Sequence, residues 1–181
     1  MDSKIVKQEV RREVRSRVKQ LSVEQKMAAS HKIFEDMERL ETFAKARCIA
    51  LYAALSDEVP TSEVIARWHA EGRRVVLPRV EGDVMRFYDY APEALQSGYQ
   101  GIDEPMGDVE CPVEDIDLIV VPARAFSLSG VRLGRGGGFY DKYMSLSGFR
   151  AHKTGVAFEC QIFEHLPFDS HDIRVDEVVF A

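Results

Sequence analysis

Cys48-Ile49-Ala50-Leu51-Tyr52 and Arg74-Val75-Val76-Leu77-Pro78 are two short apolar runs, and the residues between them decide the fold. The first run is followed by a polar connection, Leu55-Ser56-Asp57-Glu58-Val59-Pro60. Thr61 then stands where it can cap a helix running to about Glu71, and Gly72 supplies a stop. Strand, helix and strand within about thirty residues make a βαβ unit, in which the two strands run parallel and helices cover the sheet. The fold class expected is therefore α/β.

Working outward, Asp117-Leu118-Ile119-Val120-Val121-Pro122 is apolar almost throughout, as a central strand covered on both faces is. Val84 to Tyr88, Thr154 to Phe158 and Val175 to Phe180 read as further strands. Residues 91–115 are loop-rich and too irregular to assign from periodicity. Upstream, residues 4–20 form an amphipathic helix with an apolar stripe, Val6, Val10, Val14 and Val18, beside a basic one, Lys4, Lys7, Arg11 and Arg15. Ser22 with Gln25 resembles a capping box opening a second helix to about Leu40. Its buried face is expected to carry Met27, Ile33, Phe34, Met37 and Leu40.

At 181 residues, with 45% hydrophobic and 30% charged residues, the chain reads as one ordinary globular domain, 1–181. No apolar run approaches a membrane span, and Met1-Asp2-Ser3-Lys4 lacks a signal peptide's apolar core. Cys48, Cys111 and Cys160 are widely separated in sequence and match no zinc spacing, which suits a cytoplasmic protein. The net charge of −6 is uneven. Residues 1–21 hold seven Lys/Arg against three Asp/Glu, so that segment carries +4 and the rest −10. A basic segment on an acidic body is a nucleic-acid arm, a lid over an anionic ligand, or simply a solvated helix face. The acidic body disfavours general nucleic-acid binding.

Gly134-Arg135-Gly136-Gly137-Gly138-Phe139-Tyr140-Asp141 concentrates four of the twelve glycines in eight residues. Such a run before a helix, here from about Tyr140 to Leu146, is either a phosphate cradle or a flexible surface turn. It is not a P-loop, because Phe139 rather than lysine follows Gly138, and glycine is missing at 139 for a dinucleotide fingerprint. An arginine inside the cradle is compatible with bidentate phosphate binding. Asp141 is a candidate magnesium ligand or a helix cap; Asp172 lies in a late polar loop. The five histidines show no metal spacing, and Ser127 and Ser129 are not in a nucleophile elbow.

Arg132-Leu133 followed by this octet resembles the signature of the 5-formyltetrahydrofolate cyclo-ligase family. Lys7-x-x-x-Arg11, Asp57-Glu58-Val59-Pro60-Thr61, Gly101-x-x-Glu104-Pro105, Val121-Pro122-x-x-Ala125-Phe126, Gly155-x-Ala157-Phe158-x-x-Gln161, His171-Asp172 and Val175-Asp176-Glu177-Val178 match in the same order. The resemblance implies a single three-layer α/β/α domain with a mostly parallel central sheet. It also implies ATP-dependent, magnesium-assisted closure of 5-formyltetrahydrofolate to 5,10-methenyltetrahydrofolate, in which the formyl oxygen is phosphorylated and N10 attacks the activated carbon.

Carried over by position, Lys7 and Arg11 from the N-terminal helix (1–21) hold ATP phosphates. Arg132, Leu133, Gly134, Arg135, Gly136, Gly137, Gly138, Phe139 and Tyr140 wrap the nucleotide. Arg135, Gly136 and Gly137 are the catalytic candidates; Leu55, Glu58, Pro60, Arg135 and Phe139 meet the folate; Asp141 and Asp172 hold Mg2+. The partners implied are ATP and a folate, with no nucleic acid, no membrane and a monomeric chain. Pro60 stands where many relatives carry an acidic residue, which removes a carboxylate contact to the pterin and leaves a folate-binding relative without turnover as the alternative. Ser127 and Phe139 replace a frequent aspartate and tyrosine. Arg135→Ala and Asp141→Ala are both expected to lower turnover in a protein that stays folded.

Overall fold

In the computed structural model, which describes residues 3–181, helices α1 (Ser3–Lys19), α2 (Val23–Glu38) and α3 (Glu41–Lys45) precede β1 (Cys48–Ala50). Helix α4 (Ser62–Ala70) leads to β2 (Arg74–Glu81), and a turn at Gly82 to β3 (Val84–Asp89). The small hairpin β4 (Leu95–Ser97) and β5 (Asp103–Pro105) comes next, then β6 (Leu118–Val121), β7 (Ala125–Ser127) and β8 (Arg132–Leu133). Helix α5 (Phe139–Met144), β9 (His152–Ala157), β10 (Ile162–Phe163) and β11 (Glu177–Phe180) complete the chain. Six strands form the central sheet in the order β11-β9-β6-β1-β2-β3. All neighbours are parallel except β3, which pairs antiparallel with β2 as an edge hairpin.

The expected βαβ unit is present: β1 and β2 lie side by side, with Ile49 opposite Val75. Alternation along the strands then divides the core in two. Ile49, Leu51, Val75, Leu77, Leu118, Val120 and Val156 pack with Val14, Val18, Ile33, Phe34, Met37, Phe43 and Trp68 of α1–α4. Cys48, Ala50, Val76, Ile119, Val121 and Ala157 face the other way, onto Phe87, Phe126, Tyr143 and Met144. The fold is thus α/β with helices on both faces. The second layer is thin, consisting of the six-residue α5 and the three-stranded sheet β10-β7-β8.

Local sequence signals explain several ends. The Ser22 capping box forms, with the Gln25 amide donating to Ser22 Oγ at 3.1 Å and the Ser22 amide donating to Gln25 Oε1 at 2.8 Å. Gly72, at φ +86°, closes α4: its amide donates to the His69 carbonyl and that of Arg73 to the Trp68 carbonyl, the double bond of a Schellman end. Thr61 does not cap α4 with its side chain, contrary to expectation. Its hydroxyl donates instead to the Tyr52 carbonyl at 2.6 Å and accepts from the Ala54 amide, which ties the start of the helix back to the end of β1.

Other expectations need correction. The valine stripe of α1 is buried only at Val14 and Val18, because the first half of the helix extends beyond the core toward the loops described below. Arg15 is exposed and does not share the surroundings of Lys7 and Arg11. Met27 and Leu40 are only half-buried. Cys48 and Cys111, remote in sequence, are buried with their sulfurs 3.9 Å apart. The unassigned residues 91–115 contain the β4–β5 hairpin, whose strands are three residues long and whose turn needs positive φ at Gln100 and Gly101. That combination is invisible to periodicity. Glu104 is 6% exposed and accepts from the Val80 amide at 3.0 Å, so this motif residue pins the hairpin to β2.

Gly155 lies in β9 against the Phe126 ring, and a Cβ there would meet Cε1 at 2.5 Å. Gly155→Ala is expected to destabilise the protein by about 1–3 kcal/mol through overpacking, which is several degrees in melting temperature. Thermal denaturation checks this; an unchanged midpoint would show that the ring moves aside without cost.

Candidate functional site

The order of the central sheet reverses beside β1. From β1 the chain moves outward to β2 and β3, whereas β6, β9 and β11 extend in the opposite direction. The loops leaving the carboxyl ends of β1 and β6 therefore diverge, and such a switch point is where open parallel sheets form a crevice for ligands. Residues 55–60 leave the β1 side, Pro122-Ala123-Arg124 leaves β6, and the glycine loop 134–138 follows β8. Side chains from all three meet. Asp57 pairs with Arg124 and with Arg135, and Arg135 Nε donates to Glu58 Oε1 at 2.9 Å.

The glycine loop needs its glycines. Gly136 and Gly138 have φ of +109° and +71°, in the left-handed range that a side chain disfavours. Crowding adds to this at Gly137, where a Cβ would lie 2.9 Å from the Phe139 ring. Phe139 in turn packs edge-on against Tyr99 of the β4–β5 hairpin, with centroids 5.7 Å apart. The following helix α5 spans Phe139–Met144 rather than the expected 140–146. Six residues make a weak dipole, so anion affinity here rests on side chains and loop amides more than on the helix end.

Helix α1 supplies two cations from outside the sheet. Lys7 Nζ lies 2.7 Å from Asp169 and 2.6 Å from Asp172. Burial opposes its charge, but the two carboxylates outweigh it and raise the Lys7 pKa. Arg11 Nε donates to the Gly134 carbonyl at 2.8 Å, and its guanidinium covers Gly136. Among the described residues it has no carboxylate within salt-bridge range. Burial pushes its pKa down, though guanidinium remains charged at neutral pH.

Arg132, in β8, has its side chain almost fully buried and pairs with Asp141 at 2.7 Å; its Nε is buried without a hydrogen-bond partner. An unpartnered buried donor at Gly134, with Arg11 bound there to a backbone carbonyl and to no carboxylate among the described residues, fits an anionic ligand such as a nucleotide triphosphate. For Asp57, burial would raise the pKa, but Arg135 and Arg124 prevail and hold it below the ordinary carboxylate range. Tyr140 and Tyr52 have phenols pushed up by burial and then by the Glu58 charge, so both stay neutral.

Most of the expected site residues are linked into one cluster here: Arg11 bonds the 134–140 loop at Gly134, Arg132 pairs with Asp141 and Arg135 with Glu58, and Lys7 joins through Asp172, next to the Ile173 amide that Asp141 accepts from. Leu55 stands at its edge, donating its amide to Glu58 Oε2 at 2.9 Å. That bond and Arg135 occupy Glu58, so it is not a free carboxylate replacing the one that Pro60 lacks. Pro60 itself turns its carbonyl to Ser30 Oγ of α2 at 2.6 Å. Asp141 accepts from the Ile173 amide at 2.9 Å, which places it beside the peptide that follows Asp172. No group of three or more His, Cys, Asp or Glu suited to a metal forms among the described residues. Magnesium fits Asp141 and Asp172 only as a nucleotide-borne ion, with phosphates and water as its other ligands.

Sequence reading missed Asp57, Arg124 and Asp169 as site residues. Asp57 and Arg124 lay inside recognised motifs, one quoted without a role and the other at an unspecified position. Nothing local marks Asp169. Gln161, another motif residue, proves to be a brace: its Nε2 donates to the carbonyls of Ala123 and Arg124 at 3.1 and 3.0 Å, and its Oε1 accepts from the Phe158 amide.

Comparison with known proteins shows the family. The model of the 5-formyltetrahydrofolate cyclo-ligase family matches residues 3–181. The 5-formyltetrahydrofolate cyclo-ligase of Escherichia coli (strain K12) is 31% identical over 176 residues, covering 92% of this chain and 95% of the relative. The mouse protein of that name (Mus musculus) is 28% identical, with 96% and 93% covered. Among solved structures, 5,10-methenyltetrahydrofolate synthetase of Aquifex aeolicus superposes with a TM-score of 0.86 at 36% identity, covering 97% of this chain and 89% of the other. A synthetase from Mycoplasma pneumoniae, at 24% identity and a TM-score of 0.72, shares the fold; 99% of this chain and 98% of that one are covered. No helix among the described residues is long and apolar enough to cross a membrane.

Proposed function

The chain belongs to the 5-formyltetrahydrofolate cyclo-ligase family, and from that premise we propose that it converts 5-formyltetrahydrofolate and ATP to 5,10-methenyltetrahydrofolate, ADP and phosphate, as a cytoplasmic monomer. The observation that carries the reading is the cluster at the sheet's reversal point, where the glycine loop, Arg11 without a carboxylate partner among the described residues, and Arg132 with its buried Nε unpartnered bring cationic groups together for a triphosphate.

An amide oxygen is a poor leaving group. In the proposed reaction the formyl oxygen attacks the γ-phosphorus as the bond to ADP breaks. N10 then adds to the activated carbon and loses its proton, and the carbon–oxygen bond breaks to release phosphate. The protein's contribution is alignment and neutralisation of charge. Lys7, Arg11 and Arg132 hold the phosphates, and the amides of Gly136 and Gly137 let the backbone approach closely. Arg135 neutralises charge on the transferring group from its position between the glycine loop and the 55–60 loop. Leu55, Glu58, Pro60 and Phe139 line the folate side. Asp141 and Asp172 would hold magnesium, which when bound neutralises phosphate charge. Lys7, now shared by Asp169 and Asp172, must release part of that contact for Asp172 to take a metal.

Mixing purified protein with Mg-ATP and 5-formyltetrahydrofolate is expected to give the near-ultraviolet absorbance of the methenyl product with one ADP per turnover. Tight folate binding by calorimetry without ADP formation would replace this reading with a binding protein. Size-exclusion chromatography at the mass of a dimer would remove the monomer.

A further inference from the structure

Arg124 has no role in the reaction as described above, and its setting asks for one. It follows Pro122-Ala123 at the carboxyl end of β6, beside the point where the strand order reverses. Its backbone is pinned from two directions: the amide donates to the Leu133 carbonyl at 2.8 Å, and its own carbonyl accepts from Gln161 Nε2 at 3.0 Å. The side chain is 9% exposed. Burying a guanidinium costs several kcal/mol of solvation, a cost that an apolar residue in this position would avoid.

Neutralising Asp57 does not account for Arg124, because Arg135 already pairs with the other oxygen of that carboxylate. Asp57 therefore fixes two guanidiniums relative to each other, one from the β6 loop and one from the glycine loop. A third, Arg11, holds the same glycine loop at the Gly134 carbonyl and is the site cation without a carboxylate partner among the described residues. Guanidiniums repel unless an anion lies between them, and planar forks held in fixed orientation match phosphate oxygens.

On the basis of the nucleotide site proposed above, we infer that Arg124 is a second guanidinium of the phosphoryl-transfer site, contacting the γ-phosphate, and that Asp57 is the positioning residue that holds Arg124 and Arg135 as a pair. As the bond from the γ-phosphorus to ADP breaks and the bond to the formyl oxygen forms, negative charge on the transferring oxygens falls within this fork. Arg124 is a catalytic residue in that step and Asp57 acts through it.

The test is Arg124→Met, which keeps volume and removes charge, measured by calorimetry with magnesium and either AMP-PNP or ADP. AMP-PNP affinity is expected to fall about tenfold or more, as for a lost charged contact to one phosphate, while ADP affinity changes less than twofold. Turnover is expected to fall about a hundredfold. Equal weakening of both nucleotides would reveal a merely structural role, and no weakening would show that Arg124 does not reach the γ-phosphate; either overturns the inference. If the methionine variant does not fold, Arg124→Lys serves: it is expected to lose AMP-PNP affinity selectively but to a smaller extent, and a uniform loss overturns the inference. Binding needs no turnover, so the inference is tested even if the wild type proves inactive. In that event only the proposed activity fails; a wild type that binds neither nucleotide overturns both.

Discussion

Arg135→Ala is expected to lower kcat about a thousandfold, the scale lost when an arginine that neutralises transferring phosphate is removed. The same substitution is not neutral for stability. Glu58, 8% exposed, keeps only the Leu55 amide when Arg135 is gone. Leaving a buried carboxylate without its cation costs a few kcal/mol, reduced here because Arg135 is partly exposed. We expect a loss of about 2 kcal/mol and a melting temperature lower by roughly 4–8 °C. Adding Glu58→Gln to Arg135→Ala removes the stranded charge and should recover most of the stability and none of the activity. A double variant that regained turnover would place Arg135 outside the chemistry.

Acid unfolding supplies an independent reading of that variant. Asp57 titrates below its unfolded value, so its contribution is complete above about pH 4 and is lost as the pH falls through its lower folded value. Arg135→Ala takes away one of the two cations that hold it there. The acid-unfolding midpoint, followed by circular dichroism, should move to higher pH; an unmoved midpoint would mean that Arg124 alone sets the Asp57 pKa.

Asp141→Ala is the second substitution with a large expected effect, and the structure changes what to expect of it. Read from sequence, it removes a metal ligand from a folded protein. Here Asp141 is also the carboxylate of Arg132, whose side chain is 4% exposed and whose Nε is already unpartnered, and the acceptor for the Ile173 amide. Removing one partner of a buried pair costs about 3–5 kcal/mol, which is on the order of 10 °C in a chain of this size. Asp141→Asn has the same shape and keeps an oxygen for Ile173, and is expected to lose about half as much. Turnover should collapse in both, with the asparagine variant measured well below its melting temperature to separate chemistry from folding. An alanine variant as stable as the wild type would show that Arg132 finds another partner.

The way the site could be read follows the range of the forces that build it. The βαβ unit, the Ser22 box and the Gly72 stop depend on residues a few positions apart, and each was legible. So were the central strands, whose continuous apolar runs mark them as covered on both faces. The β4–β5 hairpin was not, because three-residue strands and a positive-φ turn carry no period. Lys7, Arg11 and the 132–141 segment could be named from the order of motifs along the chain, although their separation in sequence gives no reason for them to meet.

Residue order is enough to specify an α/β sheet with a parallel unit at residues 48–78, a glycine loop too irregular for a helix or strand, and the set of cations available to a phosphate. Which carboxylate each cation holds is settled by the folded chain. It joined Asp57 to Arg124 and Arg135, Lys7 to Asp169 and Asp172, and Asp141 to Arg132. The reason is physical: backbone preference and hydrophobic period act over a turn or a strand. Ion pairing and burial depend on distances set only when the sheet reverses direction beside β1 and brings the loops of β1, β6 and β8 to one edge.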